Sequence, residues 1–471
     1  MENNTQIALS SFIRENDNDN QNLWCTDRIF NKSYTYLDFK YLLLAVSSLL
    51  SKTELKKIAI CTENSAFFSV FFFSCLLSNK TPVLLGNFTK LSLVEDVDKY
   101  DLVVTDENIK DLPIKTFFID YLAFDGLLKN AKDTFSTADL NNIKFNSEDN
   151  IVLYTSGSTG KSKAVIKTFK QMFDEAVTVA SITENLAGTP NLKAIATVPP
   201  YHMYGLTFRI FQCLYQKITI EVPICHYTEE LQSFKEPLVL ISSPAFLKHI
   251  DYSKESPNIV FAISAGSALP KDTAAKFYQW TGTPITEIYG STETNVMAYR
   301  FNRGLDELFT PFDGISFFEN KDSFYLKSPF VLGDFKLDDK LCFENKHKFK
   351  IMGRTDKIAK IAEKRISLSL IEKLLKQDPK VLDVVALPLE KHQRNFIALV
   401  VKVSCADHEF LLKKANKIQF VKTLKEKLKD HIPQIAMPRY VRIVTDIPQN
   451  SMGKNIVLQL KERKAHSHLK Q

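Results

Sequence analysis

Apolar and polar positions change over in short blocks along the first third of the chain. Residues 57–61, 81–85 and 102–105 are compact apolar segments with polar flanks and predict buried strands. Between the first two lies the segment 66–77, AFFSVFFFSCLL, which is apolar on every side. Such a helix is buried in a core, and it is too short to cross a bilayer, which takes about 20 apolar residues. This strand–helix–strand punctuation predicts a mainly parallel sheet covered by helices. The pattern resumes with a helix near 170–181, a strand over 193–198 and a helix near 205–214. Strands follow at 218–222, 238–242 and 259–264, then a helix after Pro270 and a strand over 285–289.

From Ile351 onward the pattern changes. A turn-rich joint at 353–356 is followed by a helix at 368–377, strands near 381–387 and 396–403, a helix over 409–430 and a strand at 440–444. That set predicts a small α+β domain with its own core. A chain of 471 residues exceeds what one core usually organises. The expected division is a large α/β domain over 1–352, a hinge at 353–356 and a small mobile domain over 357–471.

Composition is that of an ordinary globular protein. The seven cysteines are odd in number and scattered without CxxC spacing. That argues against a disulfide framework and a zinc site and fits a reducing cytoplasm. The polar, acidic start carries no secretory leader pattern. A net charge of +7 is modest. Much of the basic excess falls in the last third, at Lys413, Lys414, Lys417, Lys422, Lys425, Lys427 and Lys429. A solvated helix face accounts for any one of these lysines; together they also suit a polyanion such as CoA or an acidic carrier protein. No aromatic-interleaved basic stripe accompanies them, so nucleic acid is not the expected partner.

The segment 151–163, IVLYTSGSTGKSK, carries the first chemistry. An apolar strand runs into Thr, Ser and Gly and closes on lysines. Small residues let backbone N–H groups converge on an anion, hydroxyls donate further hydrogen bonds, and lysine adds charge. A Walker A loop reads G-x-x-x-x-G-K-[ST]. Gly160-Lys161-Ser162 fits its second half, but Thr155 stands where the first Gly belongs. Downstream come Tyr289-Gly290-Ser291-Thr292-Glu293, then Gly353-Arg354-Thr355-Asp356 with Lys360 and Arg365, then Pro448 and Gly453-Lys454.

In this order, from about residue 150 to about 460, these elements resemble the AMP-forming adenylating ligases: acyl-CoA synthetases, aryl-acid ligases, adenylation domains and luciferases. The resemblance implies attack of a carboxylate on the α-phosphate of ATP, with loss of pyrophosphate. It implies that Thr155, Ser156, Gly157, Ser158, Thr159, Gly160 and Lys163 wrap the β- and γ-phosphates. Thr292 would bond the α-phosphate, and Glu293 would hold Mg²⁺. Tyr289 would stack on the adenine, with Gly266, Ser267 and Ala268 lining the other face, or pack as a core aromatic; Gly290 and Ser291 would belong to the same nucleotide site. Arg354 and an upstream Asp would take the ribose. Asp339 has the spacing to Arg354, whereas Gly333-Asp334 has the dipeptide; Asp339 is preferred. Lys454 would bridge carboxylate and α-phosphate during adenylation, and Asp356 would be the hinge for thioester formation on a phosphopantetheine thiol. Between Glu293 and Asp339 the chain is short for this family, which implies a trimmed barrel-like subdomain. Glu363 stands where the family usually has Gly beside the pantetheine arm.

The stretch 196–206, ATVPPYHMYGL, occupies the family's acyl-pocket position and contains no acid to pair a substrate amine. A plain aryl or acyl acid is therefore expected. His202 would gate or orient the carboxylate, or simply pack; Tyr204, Phe208, Ser243, Phe246 and Ser264 are candidate pocket walls. PPYHMYGL, SSPAFLK, YGSTET and KRISL are similar to stand-alone ligases of aryl-polyene-type pathways, which imply an acyl carrier protein as acceptor; CoA stays open. Two other readings remain: a nucleotide-binding relative without turnover, which Glu363 favours, and a kinase or NTPase, which Thr155 disfavours.

Overall fold

The computed structural model describes residues 6–13, 21–86, 88–109, 111–156, 162–186, 188–320, 323–345, 347–354, 358–362, 364–391 and 394–447. Met1–Thr155 and Ala164–Arg354 form one compact unit; Ser156–Lys163 and Thr355–Gln471 form a second.

Among the described residues, two sheets organise the first unit. The nine-stranded sheet has the order Thr310–Pro311, Asn295–Asn302, Ile285–Ser291, Ile259–Ser264, Leu238–Ser242, Lys193–Ala196, Thr219–Glu221, Leu23–Asp27, Lys32–Thr35. Its inner pairs are parallel, and both margins turn antiparallel. The six-stranded sheet runs Ser162–Thr168, Asn150–Ser156, Thr81–Leu84, Lys57–Cys61, Leu102–Thr105, Thr116–Phe118, with parallel pairing through its centre. These are the parallel, helix-covered sheets that the strand–helix punctuation predicts.

The Phe-rich segment is the helix Ser65–Leu77. It begins at Asn64, whose side chain accepts the Ala66 and Phe67 N–H groups at 3.0 Å each and so satisfies two of the orphan donors of the first turn. Every residue from Ser65 to Leu76 is buried. Phe73 lies at the centre, with ring centroids 5.6 Å from Phe12, 5.1 Å from Phe72, 5.6 Å from Phe145 and 5.4 Å from Phe211. It joins this helix to the helical stretch Leu206–Phe211 through Phe211. Phe73→Ala is expected to cost about 3–5 kcal/mol, the range for emptying a packed aromatic site; a denaturant melt of the whole chain would measure it. No helix among the described residues is long and apolar enough to cross a membrane. All seven cysteines are free, five of them buried, with Cys342 and Cys405 exposed.

The second unit has a three-stranded sheet of Asp383–Lys391, Arg394–Lys402 and Tyr440–Val444. Ile371 and Leu375 pack on it from the helix Leu368–Leu375, and Phe420, Leu424 and Leu428 from Lys414–Leu428. The predicted helix over 409–430 is two helices, Cys405–Leu411 and Lys414–Leu428. The break falls at Lys413, which is extended (φ −68°, ψ 123°). Asn416 Nδ2 donates to the Phe410 carbonyl at 2.9 Å, giving the end of the first helix a partner that the apolar pattern does not reveal.

Candidate functional site

Ligands in open α/β sheets bind beyond the carboxyl ends of the strands. In the large sheet two neighbouring strands end there on loops picked out by the sequence. Ile259–Ser264 leads into Ala265-Gly266-Ser267-Ala268, and Ile285–Ser291 leads into Thr292 and Glu293.

Gly266 has φ +92°, a left-handed conformation that only glycine adopts without strain. Just past this loop, the Leu269 N–H donates to Glu287 Oε1 at 3.0 Å. Glu287 is itself fixed inside the sheet by Arg300 Nε at 2.6 Å and Asn302 Nδ2 at 2.6 Å. A buried carboxylate with this many donors is a rigid anchor, so the loop starts from a fixed point.

Ile285–Ser291 continues past the predicted strand end and forms a hairpin with Asn295–Asn302. The register shifts between Tyr289 and Gly290. A Cβ at Gly290 would lie 2.5 Å from the Asn295 carbonyl oxygen, so the two limbs close only over glycine. Thr294 Oγ1 accepts the Ser291 N–H at 3.1 Å, and Ser291 Oγ accepts the Thr294 N–H at 3.2 Å. Asn295 takes φ +60° to complete the turn. Thr292 and Glu293 are thereby held half-buried at the hairpin tip.

Tyr289 is buried, with Phe309, Phe317 and Phe349 ring centroids 6.0, 6.4 and 6.0 Å away. Its hydroxyl donates to Asp339 Oδ2 at 2.9 Å. Asp339 stands opposite Arg354 in the antiparallel pair Asp339–Asn345 and Lys348–Arg354. Asp334 is exposed, with Lys327 Nζ 3.9 Å from it. The structure thus brings Tyr289, Asp339 and the Arg354 backbone together.

His202 is exposed and precedes the helix that starts at Met203. Its ring lies 4.6 Å from that of Tyr201. The Tyr201 hydroxyl donates to Glu63 Oε1 at 3.3 Å, so the fold supplies beside this stretch a carboxylate that the stretch itself lacks. Tyr204 donates to the carbonyls of Ser242 at 2.9 Å and Ile263 at 3.1 Å, which pins the helix to two strand ends. Phe208, Ser243 and Ser264 are buried, and Phe246 is half-buried. A Cβ on Gly205 would meet the Pro199 carbonyl oxygen at 1.9 Å. Gly205→Ala is therefore expected to push away the Pro199–Pro200 turn that carries Tyr201 and His202. A loss of about 1–3 kcal/mol is typical of such overpacking, and a thermal melt beside an activity assay would read both effects.

Thr155 is half-buried at the end of Asn150–Ser156, and Lys163 is exposed near the start of Ser162–Thr168. Gly157, Ser158, Thr159 and Gly160, Asp356, Glu363 and Lys454 lie outside the described residues, as do the side chains of Ser156 and Arg354.

Two buried charges escape a motif reading. Lys167 Nζ donates to the Glu293 carbonyl oxygen at 2.7 Å. Glu175 Oε1 accepts the Val296 N–H at 2.8 Å, and its Oε2 accepts the Thr207 hydroxyl at 2.7 Å. Burial pulls the Lys167 ammonium below the usual lysine range, opposed by the charges of Glu175 and Glu293. Burial likewise pushes the Glu175 carboxyl up, opposed by its hydrogen bonds and by Lys167. The signal lay in the pattern. Lys167 follows buried Val165 at the strand period, and Glu175 shares a helix face with Met172, Ala176 and Val179.

Parallel-rich sheets with these loops at their strand ends, together with a small α+β unit, define the fold of the adenylating ligases. Residues 15–312 match the AMP-binding enzyme family, and the chain belongs to it. It is 24% identical over 241 residues to the 4-coumarate–CoA ligase of Rhodobacter capsulatus, covering 49% of this chain and 58% of that enzyme, less than two thirds of its length. It is 22% identical over 308 residues to that of Cereibacter sphaeroides, covering 64% of this chain and 68% of that enzyme. The solved o-succinylbenzoate CoA synthetase from Bacillus subtilis shares the fold, with a TM-score of 0.74 at 16% identity over 98% of this chain and 99% of that one.

Proposed function

We propose that this protein uses ATP to activate a carboxylic acid without an α-amino group and passes the acyl group to a phosphopantetheine thiol, on CoA or on an acyl carrier protein. The observation that carries this reading is the hairpin at the carboxyl end of the large sheet. It holds Thr292 and Glu293 at its tip and has Tyr289, bonded to Asp339, on its strand.

In the first step a carboxylate oxygen attacks the α-phosphorus of ATP. The bond from that phosphorus to the bridging oxygen breaks, and pyrophosphate leaves with the electron pair. Two anions meet, so donors must face the place where charge develops. The Thr292 hydroxyl would donate to the α-phosphate, and Thr155, Ser156, Ser158, Thr159 and Lys163 to the outgoing phosphates. Asp339 and Arg354 would bind the ribose. In the second step the thiol sulfur attacks the acyl carbon, AMP departs, and the thiol proton is released.

Among the described residues no group of three or more His, Cys, Asp or Glu side chains is placed to hold a metal ion. A carboxylate at a hairpin tip suits Mg²⁺, which binds through one or two carboxylates plus substrate phosphates. Glu293 would hold it. Bound there, the cation neutralises phosphate charge.

The fold's parallel sheets and the CoA-ligase relatives support the reaction class. The stretch 196–206 brings no acid of its own, and Glu63, the carboxylate beside it, already accepts the Tyr201 hydroxyl, which favours an acid without an amine; the lysine-rich helix Lys414–Leu428 suits a polyanionic acceptor. Acid-dependent pyrophosphate release with ATP and Mg²⁺, assayed over benzoates, cinnamates and short to long fatty acids, tests the proposal. Release with AMP as co-product supports it, and ADP formation refutes it. Adding CoA or an acyl carrier protein afterwards identifies the acceptor.

A further inference from the structure

The hairpin that carries Thr292 and Glu293 is gripped from within by opposite charges. Lys167 lies on the strand Ser162–Thr168 and is 2% exposed. Glu175 lies on the helix Phe169–Ala180, which follows that strand directly, and is 1% exposed. Lys167 holds the carbonyl of Glu293, on the turn, and Glu175 holds the N–H of Val296, where the return strand begins. Through its second oxygen Glu175 also holds Thr207, in the π-type stretch Leu206–Phe211 of the helix that His202 precedes. Stretches of this type occur often at functional sites.

Stability alone is a poor reason for such a pair. Removing two charges from water costs several kcal/mol per ion, and apolar residues of similar volume often do as well or better. What charges do that apolar residues cannot is fix particular backbone groups in one arrangement. Here the backbone groups are the Glu293 carbonyl and the Val296 N–H of the hairpin, and the tie to the helix behind His202 is the Thr207 hydroxyl.

We propose that Lys167 and Glu175 are positioning residues that set the Glu293 turn and tie it to the helix following His202. One buried pair then keeps the carboxylate on the nucleotide side in register with the acid side. Neither residue touches the reacting atoms; both act through Glu293 and Thr207. This inference rests on the ligase reading.

The test uses the full chain and the double variant Lys167→Met/Glu175→Gln, which removes both charges and strands neither. ATP affinity is measured by calorimetry with and without Mg²⁺, beside kcat and KM for pyrophosphate release. Lost outer support of a metal ligand typically costs 10–100-fold. The Mg²⁺-dependent gain in ATP affinity and kcat are therefore both expected to fall at least about tenfold, with metal-free ATP affinity held. Lys167→Arg, which keeps a cationic donor, is expected to recover most of the loss. A folded double variant with unchanged Mg²⁺ dependence and kcat overturns the proposal. So does a loss that only follows the melting temperature and that Lys167→Arg does not rescue. A wild-type chain that binds no ATP–Mg²⁺ overturns the ligase reading and this inference together, whereas a binding wild type with an indifferent variant overturns this inference alone.

Discussion

Glu293→Gln is expected to lower acid-dependent pyrophosphate release by about 10²–10³-fold, the scale on which losing one electrostatic stabiliser of a developing charge is felt. The substitution keeps shape and polarity and removes one negative charge. Glu293 is half-buried at a hairpin tip, and its charge supports the buried Lys167 ammonium, so the change costs some stability but leaves the hairpin backbone in place. Its backbone carbonyl is still held by Lys167, and the Ser291–Thr294 bonds that close the turn do not involve its side chain. The fold should therefore survive the substitution, with turnover falling far more than stability. A neutral amide is a weaker ligand for a hard cation than a carboxylate, so the half-saturating Mg²⁺ concentration should rise and excess Mg²⁺ should restore part of the rate. Initial rates measured over a range of Mg²⁺ check this. A variant with lowered kcat and unaltered Mg²⁺ dependence would remove Glu293 from metal binding and leave it a role in turn geometry.

The parallel sheets were legible because their strands are buried on both faces and read as unbroken apolar runs bounded by turn residues. Leu238–Ser242 and Ile259–Ser264 are of this kind, and every residue of the former is buried. The all-round apolar helix Ser65–Leu77 was legible for the same reason. The return limb Asn295–Asn302 was not, because its pairing with Ile285–Ser291 is decided by a glycine that lets two backbones approach, and the sequence shows only that a glycine is there. The break at Lys413 was hidden in the same way. Its neighbours have ordinary helix propensity, and the competing hydrogen bond comes from Asn416, three residues on.

At the candidate site, Tyr289, Thr292, Glu293 and Asp339 could be picked out because each stands in a short stretch with its chemistry on view. The spacing from Asp339 to Arg354 becomes, in the structure, a cross-strand pair. The supporting groups Lys167, Glu175, Thr207 and Glu287 come from separate elements and share no motif. They meet only when the sheet and its helices close. A polar or charged residue at an inward-facing position is the trace they leave in the sequence.

Lys454→Ala is expected to lower adenylation by orders of magnitude while nucleotide affinity stays nearly unchanged. The argument is one of timing. Carboxylate and α-phosphate repel each other as they approach, and a cation shared by both relieves that repulsion most when they are closest, in the transition state. An interaction made chiefly there raises kcat and adds little to ground-state binding. The Pro448, Gly453-Lys454 element has the residue type for this: a compact point charge on a flexible stem. The variant also separates the two surviving readings of the chain. A ligase loses acid-dependent pyrophosphate release and keeps its ATP dissociation constant. A relative that only binds nucleotide, the reading Glu363 favours, has no turnover to lose, so wild type and variant behave alike in both assays. If turnover was instead present and survived the substitution at full rate, the charge relieving the two anions would come from elsewhere, and Lys163 would be the next lysine to replace.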